Sequence, residues 1–199
     1  MGESAASIET TPMAGASPAA GIETLLKSFT QATPGCVIGV EHGRDPILLR
    51  AAGSANLEQG VPIDADTVFE AGSVSKQFTA AAVLLQVRQG AISPDDDVRR
   101  YVPELPDYGS PIRIRQLLNH TSGLRDWGSV QDIAGWPRGD KVYGMSEALR
   151  VMARQRSLNY MPGAAYSYTN SGYNLLAIIV ERVSGKKANF QDESGIAAS

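Results

Sequence analysis

The chain has 199 residues, 43% of them hydrophobic and 20% charged, a size and balance that suit one globular domain or slightly more, with a core that needs no disulfide or metal. Its net charge is −3, from 18 basic and 21 acidic residues without a basic stripe, which excludes the electrostatic footprint of a nucleic-acid binder. A single cysteine, Cys36, excludes an intramolecular disulfide, and with only His42 and His120 beside it no zinc site can be built from His and Cys alone.

Residues 1–21 are rich in Ala, Ser and Gly and have no apolar core, so they are no intact signal peptide and are expected to form a flexible lead-in. The start Met1-Gly2 fails the myristoylation pattern because Ala6 stands where Ser or Thr is needed. A cytoplasmic protein is expected as the chain stands, or a periplasmic or secreted one after loss of a leader. The longest purely apolar runs, 80–85 and 175–180, are six residues each, against the ~20 that a membrane-spanning helix requires.

A helix is predicted over 22–31, ended by Pro34-Gly35. Residues 36–41 and 47–52 read as two strands joined by the turn-prone His42-Gly43-Arg44-Asp45, a β-hairpin, with Cys36 as a buried strand residue; 67–70 reads as a third extended piece. Val74, Phe78, Ala81, Ala82 and Leu85 then recur at helical spacing before Gly90, and the segment is apolar nearly all round, which predicts a central, buried helix. Ser93-Pro94-Asp95-Asp96-Asp97 has the cap, the proline and the first-turn acids of a helix start, a fuller account of that acidic run than metal binding. Further helices are predicted over 114–119, 146–155 and 171–184, the last with Ser171 as cap and Gly185 as terminator.

Several common sites are missing: no G-x-S-x-G, H-E-x-x-H, G-x-x-x-x-G-K or G-x-G-x-x-G occurs. S-x-x-K occurs twice, at Ser73–Lys76 and Ser184–Lys187, and the context separates them. Ser184 sits at a helix end before a glycine. Ser73 sits at a helix start after Gly72, where free N–H groups favour a developing oxyanion and where Lys76, three residues on, shares its face. Lys76 is flanked by Val74, Phe78 and alanines; desolvation there would lower its pKa and make it a base, while the plainer reading is a surface lysine whose stem covers apolar area. The one Y-x-N, Tyr168-Thr-Asn170, would aim a phenol and an amide the same way from an extended segment, and this pair favours the site over the plainer reading.

Three stretches together resemble the serine penicillin-recognising superfamily of class C β-lactamases, D-alanyl-D-alanine carboxypeptidases and family VIII esterases. They are Phe69-Glu-Ala-Gly-Ser73-Val-Ser-Lys76-Gln-Phe-Thr-Ala, Leu117-Leu-Asn-His120-Thr-Ser-Gly123-Leu and Pro162-Gly-Ala-Ala-Tyr-Ser-Tyr168-Thr-Asn170-Ser-Gly-Tyr, in the family's order, and the resemblance covers 20–187. It implies an α+β, β-lactamase-like fold: an N-terminal hairpin of an antiparallel sheet, plus a helical domain. It implies Ser73 as acylated nucleophile, its own N–H as one oxyanion donor, Lys76 as base partner, Tyr168 as proton relay to the leaving group, and Asn170 as ligand of Lys76 and of the substrate amide. Trp127 and Trp136 fall in the stretch that lines the family's pocket, and Trp127 is taken as the substrate-binding candidate; His120 belongs to a motif that is mostly structural. No metal or cofactor is implied, and the partner is a small acyl compound: a β-lactam, a D-Ala peptide or a short-chain ester.

The family's third motif, a Lys or His, then one variable or Thr/Ser residue, then Gly on a later strand, has no match downstream of Asn170. The expected organisation is therefore a partial domain over 22–187 between the lead-in and a polar tail at 188–199, a truncated family member of low activity that self-associates through an exposed sheet edge. The alternative is a non-catalytic relic that binds a ligand or partner without turnover.

Overall fold

The computed structural model describes residues 18–43, 45–136 and 143–186, in two compact units, Met1–Glu70 and Ala71–Ser199. The expected tail at 188–199 and most of the expected lead-in lie outside the described residues.

The first unit holds α1 (Pro18–Leu26), β1 (Cys36–His42), β2 (Asp45–Ala52) and two short strands, β3 (Ser54–Asn56) and β4 (Val61–Pro62). The expected hairpin is present: β1 and β2 pair antiparallel from Cys36 opposite Ala52 to His42 opposite Asp45, with an irregularity between Val40 and Glu41. Three corrections concern this unit. The first helix starts at Pro18, inside the expected lead-in, and stops at Leu26 instead of 31. Beyond Leu26 the threonine hydroxyls capture the backbone: Thr33 Oγ1 accepts from Thr30 N at 2.9 Å and donates to Thr30 O at 3.0 Å. Such local side-chain bonds compete with the helix ladder. Residues 67–70 form no strand, because Thr67 folds back on Asp64, whose N–H donates to Thr67 Oγ1 at 2.9 Å. Cys36 is half-buried rather than buried.

The second unit is helical. A 3-10 turn, Gly72–Ser75, runs into α2 (Lys76–Arg88); α3 (Ile114–Leu118), α4 (Trp127–Ile133), α5 (Met145–Ala153) and α6 (Asn170–Ser184) follow. The core gathers around α6, whose Leu175, Leu176 and Ile179 are fully buried against Val83 of α2, Ile114 and Leu117 of α3, and Met152 of α5. Leu175 to Ile179 are buried without a break, so α6 packs on every face in that stretch, and its end is set by Gly185 at φ 69°.

Three expectations change here. α2 is not buried all round: Thr79 and Val83 are its buried residues, while Phe78 and Leu84 are 47% and 56% exposed. Its apolar sequence exceeds the single face that packs within this unit. The acidic stretch begins no long helix. Asp96 turns back to accept from Ser93 N at 2.8 Å and from Tyr101 Oη at 2.6 Å, and Asp97 caps a single 3-10 turn, Val98–Arg100, through Arg99 N at 3.0 Å. The cap of α6 is Thr169, whose hydroxyl accepts from Ser171 N at 3.1 Å, and not Ser171. α4, which none of the expectations covered, starts at Asp126 as N-cap.

Candidate active site

The Ser73 side chain projects from the 3-10 turn that leads into α2. Gly72 enters that turn at φ 53°, a conformation that costs glycine little and other residues more. The next turn brings Lys76 round to the same face: its Nζ donates to Ser73 Oγ at 3.0 Å and to Asn170 Oδ1 at 2.9 Å. Tyr168 completes the group, with its phenol oxygen 2.6 Å from Ser73 Oγ and its ring centroid 4.9 Å from Lys76 Nζ. Four of the five expected site residues, Ser73, Lys76, Tyr168 and Asn170, therefore meet in one hydrogen-bonded cluster, and Ser73 stands exposed at its mouth.

The surroundings of Lys76 differ from the apolar ones expected. Val74 is 60% exposed and points elsewhere, because residues two apart on a helical turn do not share a face. What meets the amine is polar and aromatic: a hydroxyl, an amide oxygen and the rings of Tyr168 and Tyr173. The hydrogen bonds from Lys76, then from Ser73, hold the Tyr168 phenol below the usual tyrosine range, since they favour its anion.

Trp127 is not brought into this cluster. It opens α4, half-buried against the core, and its indole N–H donates to Asn174 Oδ1 at 2.9 Å while its main-chain N–H donates to Ser171 Oγ at 2.9 Å. Trp136 is 63% exposed and lines a shallow cavity of about 200 Å³ with Gln131, Glu147, Arg150, Val151 and Arg154, away from Ser73.

His120 lies beneath the cluster, 9% exposed, with its ring 4.6 Å from that of Tyr168. It is the one non-glycine residue with positive φ (59°) among those described. That turn lets its carbonyl accept from Ser167 N at 3.0 Å and its Nδ1 accept from Thr169 N at 3.3 Å, so both ends of His120 grip the strand-like segment that carries Tyr168. Burial, then the nearby Lys76 charge, lowers its pKa below the usual histidine value. Gly123 continues the grip at φ 76°, with a backbone so close to Tyr160 that a Cβ would sit 2.1 Å from Tyr160 O.

Sequence reading left out Asp126. Its Oδ1 caps α4 through Ser129 N at 3.1 Å, and its Oδ2 accepts from Asn170 N at 2.7 Å and Thr169 Oγ1 at 3.3 Å. Asp-x-x-Ser ahead of the 127–133 segment was a legible cap signal, but the contact with Asn170 was not. Among the described residues no group of three or more His, Cys, Asp or Glu side chains is arranged to hold a metal ion, and no helix is long and apolar enough to cross a membrane.

Known proteins resemble this chain in sequence and in fold. The chain belongs to the Beta-lactamase family, whose model matches residues 9–192. It is 34% identical over 151 residues to penicillin-binding protein 4* of Bacillus subtilis, covering 76% of this chain and 33% of that one. It is 36% identical over 161 residues to esterase EstB of Burkholderia gladioli, covering 75% and 40%. The octameric penicillin-binding protein homologue from Pyrococcus abyssi superposes with a TM-score of 0.68 at 29% identity, over 83% of this chain and 38% of that one. The chain thus spans about a third of the length of the curated relatives it matches.

Proposed function

We propose that the chain performs serine acyl transfer, with Ser73 attacking the carbonyl carbon of a short-chain ester or a strained amide such as a β-lactam. One observation carries this reading: Ser73 Oγ lies within hydrogen-bond distance of both an amine, Lys76 Nζ at 3.0 Å, and a phenol, Tyr168 at 2.6 Å. A nucleophile touched by two groups able to move its proton is the signature of covalent catalysis. The names of the esterase and of the penicillin-binding relatives support the choice of acyl donor.

In the proposed sequence, Lys76 Nζ takes the proton as Ser73 Oγ bonds to the carbonyl carbon. When the tetrahedral adduct collapses, its bond to the leaving oxygen or nitrogen breaks, and Tyr168 supplies that atom with a proton. Lys76 returns the serine proton to Tyr168, and water later cleaves the acyl ester to a carboxylic acid and free Ser73. Asn170 holds Lys76 in place through its Oδ1. The Ser73 main-chain N–H, in the 3-10 turn that leads into α2, is the proposed oxyanion donor.

Rapid mixing with p-nitrophenyl acetate tests the reading. The expected record is release of p-nitrophenol that depends on Ser73 and disappears in Ser73→Ala. Equal release by that variant overturns it.

A further inference from the structure

Four hydrogen bonds stitch residues 125–127 to residues 169–171. Ser171 Oγ donates to Arg125 O at 2.7 Å and accepts from Trp127 N at 2.9 Å; Asp126 Oδ2 accepts from Asn170 N at 2.7 Å and from Thr169 Oγ1 at 3.3 Å. Asp126 is the charged member, and it works at both ends, since its other oxygen caps α4. The Asn170 N–H belongs to the first turn of α6, where a helix leaves its donors without partners, and a carboxylate there is favoured by the helix dipole as well as by the bond. The main chain it clamps is the stretch between the Tyr168 phenol and the Asn170 amide, the two groups that meet Ser73 and Lys76.

We propose that Asp126 is a positioning residue for the Ser73 centre: its carboxylate fixes the Thr169–Asn170 peptide and thereby holds Tyr168 and Asn170 in register with Ser73 and Lys76. The proposal rests on the acyl-transfer reading for its consequence in rate, while the clamp itself can be read without any substrate. Asp126 acts through Asn170 and Thr169, whose N–H and hydroxyl its Oδ2 holds. A carboxylate serves both ends because both oxygens accept; a carboxamide has one acceptor oxygen and must release Ser129 or Asn170.

The sign of one titration separates positioning from simple charge. Lys76 and Ser73 lower the Tyr168 phenol, whereas the negative charge of Asp126 works against them and raises it. Removing that charge alone would lower the phenol further. Losing the register would weaken the bonds from Lys76 and Ser73 and raise it. The experiment is ultraviolet titration of tyrosinate in the full chain, with the Tyr168 contribution isolated by subtracting Tyr168→Phe in each background. In Asp126→Asn the Tyr168 transition is expected at higher pH than in the wild type, and in Asp126→Glu, which keeps both acceptors, it is expected to return toward the wild-type position. With p-nitrophenyl acetate, kcat is expected to fall roughly 10- to 100-fold in Asp126→Asn with little change in KM, as for a misplaced catalytic group.

A second measurement needs no variant. Amide exchange in the wild type should show the Asn170 N–H protected, although it lies in the first turn. A Tyr168 transition that stays put or moves down in Asp126→Asn overturns the proposal, and so does an Asn170 amide that exchanges as an open first-turn donor. A wild type that never acylates would instead sink the acyl-transfer reading and leave both of these readouts standing.

Discussion

The phenol oxygen of Tyr168 lies 2.6 Å from Ser73 Oγ although 95 residues separate them in the chain. The contact joins the helix-start turn of α2 to the segment that feeds α6, and both are anchored in one core through Val83 and Leu175. Tyr168→Phe keeps the ring that packs on His120 and removes only the hydroxyl. It is expected to cut the rate of Ser73 acylation by about 100-fold or more, the usual worth of a general acid–base group, with thermal stability little changed. Stopped-flow p-nitrophenol release beside a melting curve checks both halves; a fast variant removes Tyr168 from the proton path.

Lys76→Arg is the sharper substitution at the same centre. Lys76 Nζ sits between Ser73 Oγ at 3.0 Å and Asn170 Oδ1 at 2.9 Å. Arginine keeps the positive charge and the donors but cannot give up a proton in water's range, so it can hold the site together without serving as a base. Acylation should be lost in the arginine variant. Wild-type acylation there would assign Lys76 an electrostatic role only.

His120 makes stability depend on pH. Its pKa is lowered by burial and by the Lys76 charge, so the unfolded chain binds its proton more readily than the folded one. Stability therefore is fully present above the ordinary histidine value of about 6.5 and is lost as pH falls from there toward the lower folded value. Protonation also takes away the Nδ1 lone pair that accepts from Thr169 N. Urea midpoints between pH 7.5 and 5 should fall for the wild type and change much less for His120→Gln. Parallel slopes for the two proteins would show that His120 does not carry the effect.

Gly123→Ala tests the scaffold under the site. The substitution faces both a φ of 76° and a Cβ 2.1 Å from Tyr160 O, which is backbone and cannot swing aside. The left-handed conformation alone costs about 1–2 kcal/mol, and the clash adds to it. The melting temperature should drop by several degrees, with weaker near-ultraviolet dichroism from the neighbouring tyrosines. A variant as stable as the wild type would mean that the chain can part at Gly123 and Tyr160.

The candidate site was more legible in the sequence than the packing. Ser73, Lys76, Tyr168 and Asn170 stand out because their types and spacings are constrained by what they must touch. α6 was legible because its six-residue apolar run, 175–180, leads to a glycine terminator, Gly185. The Asp126 clamp was not, because its partners are 43 and 44 residues away and only the fold brings them together. The burial of α2 was overstated for a related reason: periodicity counts apolar residues but does not say which faces find partners, and Phe78 and Leu84 stay exposed. Trp127 looked like a pocket residue by its place in the chain, yet its indole is spent on Asn174.

The most direct test of the account is the mass of the intact protein after exposure to a slowly hydrolysed penicillin, followed by peptide mapping. The account predicts a single adduct equal to the whole opened β-lactam, located on Ser73 and missing from Ser73→Ala. No adduct on the folded wild-type protein at any concentration or time, or an adduct that persists in Ser73→Ala, would contradict it.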